Sequence, residues 1–148
     1  MKAVPFAWTN DNSLFDFGDV DGPVGESRLQ HALGVTGDGE TVYIADTYNS
    51  RIKRVVDGDV TETLFGLDES GYAEGSAAVA LFDEPGGLDY AEIDGRRLLF
   101  IADTNNHAIR VIDLDAGQVA TEAASVRLTA RETHLLAFLA ERSSRPCT

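Results

Sequence analysis

Cysteine is almost absent from the sequence: the only one, Cys147, is the second-last residue. A single thiol cannot form an intrachain disulfide, a Cys-x-x-Cys redox pair or a cysteine-rich metal site. There is also no run of about 18 apolar residues, so no transmembrane helix is expected. The apolar run that ends at Trp8 is too short for a signal peptide. These absences do not identify the cellular compartment of the protein, and the cytoplasm is the default expectation.

Basic residues are also scarce. Lys and Arg number 12 against 25 Asp and Glu, which gives a formal net charge of −13. Proteins that bind phosphate backbones need clustered cations, and the one cluster here is Arg51, Lys53 and Arg54. Nucleic acid and anionic membranes are therefore not expected as partners. The acidity itself is typical of a soluble surface, or it attracts a basic partner.

What the sequence does contain is an internal repeat. The tetrapeptide Ile-Ala-Asp-Thr occurs at residues 44–47 and again at 101–104, an offset of 57. Residues 18–22 and 29–35 align with 71–75 and 82–88 at an offset of 53. The second copy therefore carries four extra residues, and these fall in Asp89 to Arg97, where insertion into a surface loop with a turn at Asp94-Gly95 is expected.

Each copy has the pattern of four short antiparallel strands. Apolar runs rich in strand-favouring residues alternate with turns that contain Asp, Asn and Gly. The predicted strands are Leu33 to Thr36, Thr41 to Ala45, Arg51 to Val56 and Val60 to Phe65, then Gly87 to Tyr90, Leu98 to Ala102, Ala108 to Asp113 and Val119 to Ala123. Four such strands per repeat describe a propeller blade. The sequence predicts an all-β fold, a partial β-propeller of about two four-stranded blades.

The second copy resembles the NHL repeat family. Its blade motifs are Pro85-Gly86-Gly87-Leu88, Ala102-Asp103-Thr104, Asn105-Asn106-His107 and Ile109-Arg110-Val111. The first copy departs from the pattern at Ala32 to Val35. The nearest likeness is to proteins that join a thioredoxin-like domain to an NHL propeller. The resemblance implies that the chain is the C-terminal part of a six-bladed propeller, whose thioredoxin-like domain and redox cysteines are not in this sequence.

The repeat pattern divides the chain into four parts. Residues 1–17 are predicted as the end of a preceding blade, 18–66 and 67–124 as two NHL blades, and 125–148 as a tail with a strand and a short helix. The helix is expected over residues 130–142, after a capping box at Thr129 to Glu132. Two blades are fewer than a closed propeller needs. The chain is therefore interpreted as a fragment of a larger protein, with self-association to close the propeller as the alternative.

No catalytic, cofactor-binding or metal-binding residue is predicted. His31, His107 and His134 are isolated in sequence, and Asp19-Val20-Asp21-Gly22 lacks the later ligands of a calcium loop. Asp46 and Asp103 recur at the same place in both copies. A residue repeated in every blade is expected to be structural, so each Asp is predicted to accept hydrogen bonds from backbone amides of its turn, with help from Thr47 and Thr104.

The function expected from these features is a non-catalytic binding scaffold. Propeller loops bind proteins or small ligands, and the exposed candidates are Tyr48, Tyr72 and the loop from Asp89 to Arg97. The alternative is part of an NHL-type propeller enzyme, such as a metal-dependent lyase, or of a redox protein whose catalytic domain lies elsewhere. RNA binding, known for some NHL domains, is disfavoured by the lack of a basic face.

Overall fold

The computed structural model describes residues 17–23 and 25–121. All regular structure in these residues is β, apart from one turn of 3-10 helix at Thr47–Asn49. Most of the predicted preceding blade end (1–17) lies outside the described residues. The predicted tail at 125–148, with its helix over 130–142 and His134, lies outside them as well.

The first sheet has five antiparallel strands in the order β1-β5-β4-β3-β2. They are β1 (Gly22–Pro23), β2 (Ala32–Gly37), β3 (Val42–Asp46), β4 (Arg51–Val56) and β5 (Val60–Phe65). The four longer strands are the four that the sequence predicts. The apolar run Val42-Tyr43-Ile44 lies in β3, an inner strand of the sheet, and two of its three side chains are buried.

The second sheet repeats the arrangement, with the order β6-β10-β9-β8-β7. Its strands are β6 (Gly75–Ser76), β7 (Pro85–Ile93), β8 (Arg96–Asp103), β9 (Ala108–Asp113) and β10 (Gln118–Thr121). In each sheet the chain therefore crosses four times as a meander. A two-residue strand from the preceding segment, β1 or β6, then adds to its outer edge, and the sequence did not predict it.

The stretch 89–97, which contains the four extra residues, does not form the loop that the sequence predicts. It extends β7 and β8 into a longer hairpin, which is paired from Pro85–Asp103 to Ile93–Arg96. Only Asp94 and Gly95 turn the chain, both with positive φ (52° and 73°), as a two-residue hairpin turn requires. The insertion lengthens a hairpin because Tyr90, Ile93 and Leu98 carry strand-favouring side chains that can continue the ladder.

The two sheets pack face to face through β2 and β3 of the first and β7 and β8 of the second. Buried side chains from both sheets form one apolar cluster, which includes Tyr43, Phe65, Phe82, Leu99 and Ile101. The sheets approach closely at Gly34, where a Cβ atom would lie 2.7 Å from the Gly86 carbonyl oxygen. A side chain at that position would hold the sheets apart, so glycine sets the distance between them.

Candidate functional site

A buried aspartate joins the end of β3 to the segments around it. The Asp46 carboxylate accepts a hydrogen bond from the Gln30 backbone amide at 2.6 Å and from Asn49 Nδ2 at 2.8 Å. Asn49 Nδ2 also donates to the Gly18 carbonyl at 2.7 Å. Asp46 and Asn49 therefore fix the turn after β3 to the chain that precedes β2. Burial raises the pKa of Asp46, against the opposing effect of its hydrogen bonds and of Lys53.

The same contacts recur in the second sheet. The Asp103 carboxylate accepts from the Asp83 amide at 2.8 Å and from Asn106 Nδ2 at 2.9 Å, while Asn106 Nδ2 donates to the Gly71 carbonyl at 2.8 Å. The prediction that each Asp accepts hydrogen bonds from the backbone amides of its own turn is wrong about the donor, although each Asp does accept from one backbone amide. The amides belong to the segment before the first strand, and not to the turn that follows the aspartate.

The two threonines differ in what they contact. Thr47 is buried, and its hydroxyl donates to the Pro85 carbonyl of the second sheet at 2.8 Å. Thr104 is exposed, and among the described residues its hydroxyl donates to the Ala102 carbonyl of its own strand, at 3.4 Å. Thr47 therefore links one sheet to the other, whereas the bond of Thr104 stays within its own strand.

Lys53 is a fully buried cation in the first sheet. Its ammonium group lies 2.5 Å from Asp19, 2.9 Å from Asp21 and 3.7 Å from Asp46. Burial alone would lower the pKa of Lys53, but the hydrogen bonds and charges of Asp19 and Asp21 outweigh it and raise the pKa. Asp19 and Asp21, which belong to the incomplete calcium-loop pattern in the sequence, thus form ion pairs with a lysine.

Arg110 takes the place of Lys53 in the second sheet and is equally buried. It donates to Asp103 at 2.9 Å and to the Leu81 and Ala73 carbonyls. In the repeat alignment Tyr72 stands where the first copy has Asp19. The Arg110 guanidinium lies 4.3 Å from the centroid of the Tyr72 ring, as expected for a planar cation on an aromatic face. The first copy therefore pairs its buried lysine with carboxylates, and the second copy pairs its buried arginine with one carboxylate and an aromatic ring.

A cleft of about 320 Å³ opens where the turn after β3 meets the segment before β7. Its lining residues are Asp19, Tyr48, Asn49, Ser50, Arg51, Asp68, Glu69, Ser70, Asp83 and Glu84. Arg51 is held by Asp19 and Asp68 and donates to the Gly66 carbonyl at 2.9 Å. Tyr48 is 52% exposed and its ring packs against His31. The cleft thus combines five carboxylates, one neutralised guanidinium and one aromatic ring.

The repeat region of the chain is similar in sequence to known proteins. NHL repeat-containing protein 2 from Gallus gallus is 46% identical to this chain over 108 residues, which are 70% of the chain and 14% of the relative. This chain belongs to the NHL repeat family. The protein SUPPRESSOR OF QUENCHING 1, chloroplastic, of Arabidopsis thaliana is 45% identical over 111 residues. They are 72% of this NHL chain and 10% of the plant protein. The chain therefore spans a small part of its relatives' length.

The fold has counterparts among solved structures. A protein from Bacteroides thetaiotaomicron, described as a candidate phosphatase, superposes with a TM-score of 0.60 over 82% of this chain and 27% of the other. At 19% sequence identity this likeness concerns the fold alone. No family model matches the chain. The two sheets are hereafter the first and second NHL blades.

The structure does not bring the three predicted binding candidates together. Tyr48 lines the cleft. Tyr72, although 52% exposed, uses its ring on Arg110 and its hydroxyl on Glu74 and Thr121, so it belongs to the framework of the second blade. The hairpin tip at Asp94-Gly95 lies at the far end of β7 from the cleft, roughly 26 Å along a nine-residue strand.

The two histidines that the structure describes, His31 and His107, have different surroundings. His31 packs on Tyr48, and His107 occupies a turn with φ of 51°. Within residues 17–23 and 25–121 no group of three or more His, Cys, Asp or Glu side chains is placed to hold a metal ion. That part of the chain also has no helix long and apolar enough to cross a membrane.

Proposed function

We propose that this NHL chain is a non-catalytic binding module, part of a larger NHL protein, and that a basic segment of a partner protein binds in the cleft around Tyr48. The observation that carries the proposal is the cleft itself. It is concave, lies at the junction of two blades, and has the volume of a ligand site. Function at such a loop cluster on a rigid scaffold is common.

The charge of the cleft supports a cationic partner. Five carboxylates line it, and its guanidinium, Arg51, is already bonded to two of them, Asp19 and Asp68. A Lys or Arg side chain of a partner would pair with the remaining carboxylates, and Tyr48 offers a ring face for cation–π contact. Complementary charge also increases the rate of association. The net charge of −13 adds to the attraction of a basic partner.

The repeated polar residues support a scaffold over an enzyme. Asp46, Asn49, Asp103 and Asn106 make the same framework bonds in both blades. Groups committed in this way hold loops in place and are not free to bind or activate a substrate. The longer relatives leave room for a further domain, and a thioredoxin-like parent protein is part of the proposal.

The test is binding of a hexalysine peptide, followed by NMR chemical shifts of the backbone amides, with hexaglutamate as the negative probe. We expect shifts at the residues around Tyr48, Glu69 and Glu84, and binding that weakens with salt. Reversing two charges, Glu69→Lys with Glu84→Lys, should weaken binding about tenfold, because each exposed pair contributes up to about 1 kcal/mol.

The matched control is Glu40→Lys with Glu92→Lys. These residues are exposed and lie near the turns at the opposite end of the blades, so the control makes the same change in net charge. If both double variants weaken binding equally, or if the shifts appear at the hairpin tip, the peptide senses only net charge and the cleft is not the site.

A further inference from the structure

The cleft around Tyr48 already holds a cation of the chain itself. Arg51 is the first residue of β4, and its side chain is only 12% exposed. Its Nε donates to Asp19 and its Nη2 to Asp68, while its Nη1 donates to the Gly66 carbonyl at 2.9 Å. The guanidinium therefore lies between two carboxylates, in the way that an arginine of a bound partner would.

The repeat shows that the blade framework does not require this arginine. The residue aligned with Arg51 in the second copy is Ala108. The second blade nevertheless forms the same turn, in which Asp103 accepts from Asn106 Nδ2 at 2.9 Å. The buried cation of the first blade is a different residue, Lys53. Arg51 is therefore an addition to the blade at the cleft, outside the repeated framework.

The two carboxylates that hold Arg51 differ in their surroundings. The Asp19 side chain is 30% exposed and also pairs with Lys53 at 2.5 Å. The Asp68 side chain is fully exposed, and within the described residues Arg51 is its one ion-pair partner. Loss of Arg51 would leave Asp19 paired with Lys53, but it would free Asp68 for a ligand.

The next residue provides a comparison within the same site. Glu69 is exposed and lines the same cleft as Asp68, in the connection between the two blades. In the part of the chain that the structure describes, no ion pair holds the Glu69 carboxylate. The cleft thus places an occupied carboxylate directly beside an available one.

We propose that Arg51 is a built-in occupant of the cleft, which withholds Asp68 from a basic partner and thereby lowers the affinity of the site. The inference rests on the proposed function, because it concerns the same cleft and the same class of partner. The partner then pairs with Glu69 and Glu84, and the Arg51 guanidinium repels its cations at close range. Both effects are local, because salt screens exposed charges beyond about 8 Å at physiological ionic strength.

The test is the affinity for hexalysine, measured by calorimetric titration at about 0.15 M salt. Arg51→Gln should bind the peptide about three- to fivefold more tightly than the wild type, because one further exposed ion pair becomes available. The matched control is Arg54→Gln, which makes the same change in net charge on the same strand. Arg54 pairs with Glu62 at 3.0 Å and lies roughly 10 Å further along β4. The control should change the affinity by less than about twofold.

A second comparison uses two adjacent carboxylates, Asp68→Asn and Glu69→Gln, each made in the wild type and in Arg51→Gln. Both residues are exposed, so neither substitution endangers the fold. In the wild type, Glu69→Gln should weaken binding about threefold and Asp68→Asn about 1.5-fold. In Arg51→Gln the two losses should be equal, at about threefold, because Asp68 is then available to the peptide.

The outcomes separate this inference from the proposed function. If the wild type binds hexalysine but Arg51→Gln binds no more tightly than Arg54→Gln, the role of Arg51 as occupant is overturned and the cleft remains the site. Equal losses for Asp68→Asn and Glu69→Gln in the wild type would overturn it as well. Weaker binding by Arg51→Gln would instead make Arg51 a residue that positions the cleft. If neither the wild type nor Arg51→Gln binds, the proposed function fails, and this inference fails with it.

Discussion

Replacing Asp103 with Ala is expected to lower the free energy of unfolding by about 3–5 kcal/mol, the usual cost of removing one partner of a buried ion pair. Asp103 and Arg110 are both fully buried, with 2.9 Å between their charged atoms. The substitution removes the buried counter-charge of the Arg110 guanidinium. It also removes the acceptor for the Asp83 amide and the Asn106 side chain.

The measurement is urea unfolding of the variant beside Asp46→Ala, which is its matched control. Asp46 makes the same bonds in the first blade, but Lys53 would keep Asp19 and Asp21 after the substitution. The loss for Asp46→Ala should therefore be the smaller of the two, about 1–3 kcal/mol. Equal losses in both variants would mean that the charge of Arg110 has no part in the effect.

The second large effect is expected at Phe82, which lies in the cluster between the blades with none of its surface exposed. Phe82→Ala removes a buried aromatic ring and leaves a cavity, at a cost of about 3–5 kcal/mol. The ring also lies 5.3 Å from the Arg110 guanidinium. Loss of the ring therefore weakens the packing between the blades, and it also removes an aromatic contact of the buried Arg110.

Thermal unfolding with Val79→Ala as control measures this effect. Val79 is in the same segment and is 51% exposed, so its truncation should change stability by less than about 0.5 kcal/mol. If Phe82→Ala also lowers the free energy of unfolding by less than about 1 kcal/mol, the apolar cluster does not hold the two blades together.

Sequence alone predicted the eight longer strands because their signals are local. Short apolar runs of strand-favouring residues lie between turns that contain Asp, Asn or Gly. The same four strands are predicted independently in both copies of the repeat. The two-residue strands β1 and β6 carry no such signal, since only pairing with β5 and β10 makes them strands. The length of the β7–β8 hairpin was missed because an insertion can lengthen strands as readily as a loop.

The polar framework could be predicted only in part. Repetition of Asp46 and Asp103 identified them as structural, but their amide donors are 16 and 20 residues away in sequence. One signal in the repeat alignment was overlooked. The first copy has Asp19 and Lys53 at the positions where the second copy has Tyr72 and Arg110. The cleft had no sequence signal, because four separate segments of the chain contribute its lining.

The central claim is that the two sheets are consecutive blades packed face to face. NMR cross-relaxation between the ring protons of Tyr43 and Tyr90 tests it most directly, because these rings stack across the interface with centroids 6.3 Å apart. The account predicts cross-peaks between the two rings, together with cross-peaks between the paired residues Tyr43 and Arg54 of the first sheet. Cross-peaks within the first sheet but none between Tyr43 and Tyr90 would contradict it.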